Sequence, residues 1–214
     1  MIKKSILTTV LVIAVVFTTQ AQYVIGNVYP GYIVSKTGDT TQCFIRMTNK
    51  YSNQTRCLVY ANETDRKEQK SYKPSELRSY KVADRLYEAI PYGDIMPKTL
   101  NFVLVEIDGH LRQYIWYSST GDENKDSWAG MGKTISMSTD DEKNLKGEIV
   151  LRKPDEKVIS STKLLMSFSK TMSEYLSDYP ELSAKIQNKE KGYDMLHVLQ
   201  IVDEYNKWYA SKAK

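Results

Sequence analysis

Two periods of hydrophobic patterning divide the chain near residue 161. Before it, short runs of alternating apolar and polar residues are separated by clusters of Gly, Pro, Asn, Asp and Ser, the pattern of strands joined by turns. Residues 31–36 and 41–48 predict two strands around Thr37-Gly38-Asp39-Thr40, a turn composition. Residues 55–60 predict a third strand, after a polar loop at 49–53. Residues 72–77 predict a strand end entering one short turn, and 78–83 and 86–90 resume the extended pattern. The clearest hairpin joins 100–107 to 110–117 through Asp108-Gly109, a pair that favours a two-residue turn with positive φ. Weaker strands are expected at 134–138, 148–151 and 158–161, with a polar, Gly-containing loop at 118–132.

From residue 162 the period becomes helical. Leu165, Phe168, Met172 and Tyr175 predict one apolar face. Asp178-Tyr179-Pro180-Glu181 carries capping-box chemistry with proline in the first turn, opening a second helix with Leu182 and Ile186. After Gly192, Met195, Val198, Leu199, Val202, Tyr205 and Tyr209 share the face of a third. Nine of the ten Gly and five of the six Pro precede residue 161, which places the turn-rich part first. The expected fold class is therefore α+β. An N-terminal antiparallel sheet over residues 22–161, free to curl or approach a barrel, is followed by a three-helix segment over 162–214. Such helices must pack on each other or on the sheet, because none can bury its stripe alone.

Residues 1–21 read as a signal peptide. Lys3 and Lys4 precede an apolar stretch over 6–17, too short to span a bilayer, and Thr19-Gln20-Ala21 offers small residues for cleavage between Ala21 and Gln22. Cleavage leaves 193 of the 214 residues and lowers the net charge from +4 to +2. The mature chain is expected in the periplasm, at the outer membrane or outside the cell, without a transmembrane span. Its charge gives no case for nucleic acid.

Two Cys and two His cannot build a zinc ribbon, a ferredoxin cluster or a multi-histidine metal centre, so no metal or cofactor is expected. Gly130-Met-Gly-Lys-Thr134 resembles the end of a phosphate-binding loop, but Ser127 stands where the motif needs its first Gly. Asp122-Glu-Asn124-Lys-Asp126 starts like a calcium loop, yet Ser127 and Lys133 replace its Gly and its bidentate Glu. Asp140-Asp141-Glu142 reads as a solvated turn. His110 and His197 lack a nucleophile elbow, and no catalytic residue is assigned. Glu88 and Glu106 lie in strand patterns and are the acids a carboxylate mechanism would draw on. Cys43 and Cys57 fall on neighbouring expected strands where alternation can put both on one face. Export permits a disulfide, and two buried thiols are the alternative. Tyrosine is abundant at 16 residues, and Trp116, Tyr117 and Trp128 around the 118–132 loop are the candidate ligand-binding aromatics.

The sequence resembles a family of uncharacterised secreted or periplasmic proteins of Bacteroidota. The likeness rests on Gln20-Ala21-Gln22, Gly31-Tyr-Ile-Val34, Gly38-Asp39-Thr40, Tyr72-Lys-Pro-Ser-Glu-Leu77, the Asp-Gly hairpin, and helices like Leu176-Ser-Asp-Tyr-Pro-Glu-Leu182 and Ile201-Val-Asp-Glu-Tyr-Asn206. It implies a Gram-negative envelope location and a β-rich part followed by helices, and it carries no activity. Where many relatives continue the second strand with Gly, this chain has Cys43. The expected function is non-catalytic binding or scaffolding, with an envelope protein or surface component as partner. The alternatives are a carboxylate-dependent glycan hydrolase and a glycan-binding module using exposed Tyr and Trp.

Overall fold

A computed structural model describes residues 23–64, 67–93, 99–119, 145–154 and 156–212. The expected cleavage site at Ala21 and Gln22, Trp128, the 134–138 strand and the loops at 122–126, 130–134 and 140–142 lie outside these residues.

Ten strands form one antiparallel sheet. They are β1 (Val28–Ser35), β2 (Thr40–Arg46), β3 (Cys57–Tyr60), β4 (Lys70–Tyr72), β5 (Leu77–Val82), β6 (Arg85–Pro91), β7 (Leu100–Ile107), β8 (Arg112–Ser119), β9 (Leu145–Arg152) and β10 (Ile159–Ser160). The order is β10-β9-β8-β7-β6-β5-β1-β2-β3-β4, so the sheet is open rather than a closed barrel. It is followed by α2 (Ser161–Tyr175), α3 (Pro180–Gln187), a 3-10 turn at Met195–His197, and α4 (Val198–Lys212). The expected α+β architecture is present.

A short helix missed by the periodicity, α1 (Lys50–Thr55), shows how strongly the sheet curls. Strands β2 and β8 stand five places apart, roughly 24 Å in a flat sheet. Yet α1, which leaves β2, packs on β7 and β8. The concave face gathers Ile33, Ile45, Cys57, Tyr80, Tyr87, Phe102, Ile115 and Tyr117 into one buried cluster drawn from seven strands. Tyr80 stacks on Tyr87 at 4.9 Å between ring centres, and its hydroxyl donates to the backbone C=O of Asn53 in α1. Asn49 caps α1 by accepting from Ser52 N–H at 2.7 Å. The helix has no apolar stripe; its buried residues are Lys50, Asn53 and Gln54.

Glycine is required where β1 crosses β5. A Cβ on Gly31 would stand 2.1 Å from the C=O of Lys81, which only a hydrogen at that position tolerates. Gly38 has φ +102° in the β1–β2 turn, as the composition predicts.

The C-terminal helices build a second core against the end of the β8–β9 pair, from Leu111, Leu151, Leu164, Met172, Leu182, Ile186, Ile201 and Tyr205. Their inward faces differ from the expected stripes. Ser167 (φ −159°, ψ 57°) breaks α2; ahead of the break Leu164 is buried and Leu165 is exposed. In α4, Val198, Ile201, Val202 and Tyr205 face inward, and Leu199 and Tyr209 are exposed. The capping box at the start of α3 does not form. Tyr179 occupies the cap position with no side-chain bond, and Pro180 opens the helix. Asp178 is instead drawn to Lys153 and Tyr205.

Candidate functional site

Trp116 and Tyr117 are buried on opposite faces of β8, as strand alternation requires of neighbours. Trp116 packs with Tyr92, Tyr114 and Val150 on the convex side, and Tyr117 with the concave core. They form no shared exposed platform.

Cys43 and Cys57 are both free thiols. They contribute to the same concave core, as alternation allows. The register fails them: Ile45 lies opposite Val59, and continuing that ladder places Met47, not Cys43, across from Cys57. Burial pushes the Cys43 thiol up to about 11 and the Cys57 thiol higher still. Neither has the thiolate character that nucleophilic or redox chemistry needs.

The two strand acids do not converge on a pocket. Glu88 accepts from Arg112 and Tyr114, each at 2.7 Å, and Arg152 lies at 3.8 Å. Glu106 is exposed where the β7–β8 register shifts. A carboxylate already holding two donors and a second guanidinium is a structural anion.

A concentration of polar and aromatic groups sits where α4 meets the β7–β8 turn. Lys153 is buried, and its ammonium donates to Tyr175 C=O at 2.6 Å and Asp178 Oδ1 at 2.9 Å. It also lies over the Tyr175 and Tyr205 rings at 4.9 and 5.0 Å. Burial opposes ionisation of Asp178, but hydrogen bonds from Tyr205 and Lys153 and the lysine charge win, holding its carboxyl below the usual range. Burial pushes Tyr175 up to about 12. His110 stacks on Tyr209 at 3.5 Å, and burial together with the Lys153 charge lowers its pKa. Trp208 is covered on one side by Tyr179 at 4.3 Å and approached by the Lys212 ammonium at 3.9 Å. These rings are used on one another, so the cluster latches the helices to the sheet. The sequence signal for it is weak, because its members lie far apart along the chain.

The two most exposed large apolar side chains among the described residues lie on the helical layer. Met166 is 83% exposed, Leu196 76%, and Leu165 and Leu199 are also exposed. The Met195–His197 turn packs on α2, which brings the two pairs onto adjoining elements. Beside them, at the Ser167 break, a shallow hollow of about 690 Å³ is lined by Met166, Phe168, Lys170, Ser173 and Gln187 among others. Met166 stands two residues, about 200° of helical turn, from the buried Leu164 and so faces away from the core. Among the described residues no group of three or more His, Cys, Asp or Glu could hold a metal ion. Among the described residues no helix is long and apolar enough to cross a membrane. No protein-family model matches the chain, and no curated protein or solved structure matches it either.

Proposed function

We propose that this chain is an exported, non-catalytic binding protein of the cell envelope. It engages a partner protein or surface component through apolar side chains on its helical layer. The observation that carries the reading is the exposure of Met166 and Leu196 on adjoining helices, since burying each against a partner gains roughly 1.5–3 kcal/mol. The envelope location rests on the signal-peptide pattern of residues 1–21 and on the family resemblance. The other two readings lack support: Glu88 is held by Arg112 and Tyr114, and Trp116 and Tyr117 are internal.

The test places a photocrosslinking residue at 166 or 196 in the full chain expressed with its export signal. The expected result is mature protein beginning at Gln22 in the envelope fraction, with one crosslinked species from both positions. Met166→Asp with Leu196→Asp should abolish that species while folding persists. Cytoplasmic retention, crosslinks indifferent to these substitutions, or turnover of a glycan panel by the purified protein would each overturn the reading.

A further inference from the structure

Among the described residues, strand β9 offers five residues with no strand paired on their outer edge. Strand β8 pairs with it along its whole length, from Arg112↔Arg152 to Ser119↔Leu145. On the other side β10 reaches only Val150 and Leu151. Residues Leu145, Lys146, Gly147, Glu148 and Ile149 therefore have no strand on their outer side among the described residues, and Gly147 is exposed.

The direction of the backbone groups follows from β8. Tyr117 gives both its N–H and C=O to Gln54 of α1, away from β9. In an antiparallel pair, directly opposed residues both turn their peptide groups toward each other or both turn them away. Gly147, opposite Tyr117, thus points its N–H and C=O outward, and so do Leu145 and Ile149 two positions to either side. An unpaired edge of this kind is a template for another strand.

The sequence of the edge states which strand. Leu-Lys-Gly-Glu-Ile is self-complementary when run antiparallel against itself about Gly147. We propose that β9 pairs with β9 of a second copy of this chain across a two-fold axis at Gly147, joining two sheets into one. Gly147 then meets Gly147, and Leu145 of each copy meets Ile149 of the other. These three outward-facing pairs supply about six backbone hydrogen bonds. Between them, Lys146 of each copy faces Glu148 of the other at the narrow pairs, where side chains approach most closely. Like-with-like pairing in any other antiparallel register breaks this match. Strand β10 occupies the edge from Val150 onward, which bounds the open stretch there. Five residues of edge form a small interface, so the dimer is a reversible one.

The experiment is analytical ultracentrifugation of the mature protein over a concentration series to high micromolar. Wild type should shift from monomer to dimer. Lys146→Glu and Glu148→Lys each place like charges across both narrow pairs and should weaken association at least about tenfold when alone. An equimolar mixture of the two should recover the dimer, since every cross-strand pair is again opposite in charge. Glu148 also accepts from Tyr92 Oη–H at 3.1 Å, so circular dichroism accompanies each variant. If Glu148→Lys fails to fold, Glu148→Gln keeps an acceptor there and should weaken the dimer about fivefold. Monomeric wild type at every concentration, charge variants that associate as wild type does, or folded variants that stay monomeric on mixing would overturn the proposal.

Discussion

Asn206 of the last helix accepts from the N–H of Leu111 at 2.8 Å and donates to its C=O at 2.9 Å, across 95 residues of chain. A side-chain amide thus stands in for a strand at the start of β8. Gln54 does the same at Tyr117 near the far end, with distances of 2.6 and 2.7 Å. The β7–β8 ladder runs only between Ile107↔Gln113 and Leu104↔Ile115, and the two amides take over beyond each end.

Asn206→Leu should lower stability by about 2–4 kcal/mol in urea unfolding, because it strands a buried donor and acceptor together. Asn206→Asp, which keeps the acceptor and loses the donor, should lie between wild type and Leu.

Gly109→Ala should be destabilising only while Asn206 is present. Its Cβ would come within 2.5 Å of the Asn206 amide, and an Asn206→Ala background removes that amide. A double-mutant cycle should give a coupling on the order of 1–3 kcal/mol.

Gly31→Ala should be more damaging than Gly38→Ala. The first sets a methyl group against the rigid backbone of β5 at 2.1 Å, and the second strains one turn residue by roughly 1–2 kcal/mol. Expression level and thermal midpoint of the two variants check the order.

Acid should remove stability in two steps. The folded state lowers the His110 pKa, through burial and the nearby Lys153 charge, with Asp178 and Glu156 opposing. That contribution is complete above about pH 6.5 and is lost as pH falls through the lowered value. Asp178 is likewise held low, so its contribution is complete above about pH 3.9 and is lost below it. Urea midpoints against pH should show the upper step vanish in His110→Gln and the lower one shrink in Asp178→Asn, since Asp39 and Asp194 are also held low.

Native alkylation should modify Cys43 well before Cys57, since Cys57 is 1% exposed. Reduction should leave the intact mass unchanged, as expected of two free thiols.

The order of strands and then helices was legible because Gly, Pro and the hydrophobic period respond to local backbone needs. The Gly38 turn and the first strand pairs were readable for the same reason. The Asp108-Gly109 turn was not. The connection spans four residues from β7 to β8, Gly109 does not take positive φ, and Asn206 packs close against it. Helix α1 was invisible because Lys-Tyr-Ser-Asn-Gln-Thr has no apolar period; its buried groups are satisfied by strands distant in sequence.

By itself the sequence determined most of the turns, the order of extended and then helical segments, and that metal and histidine-dependent chemistry have few residues to use. Only the tertiary structure decided that the sheet curls without closing, that Cys43 and Cys57 miss each other in register, and that Asp178 serves Lys153 rather than a helix cap. It also decided which of the many aromatic residues are internal. The physical reason is common to all four. Local pattern fixes backbone conformation and the side of an element a residue occupies, whereas partner choice depends on register and curvature summed over many strands.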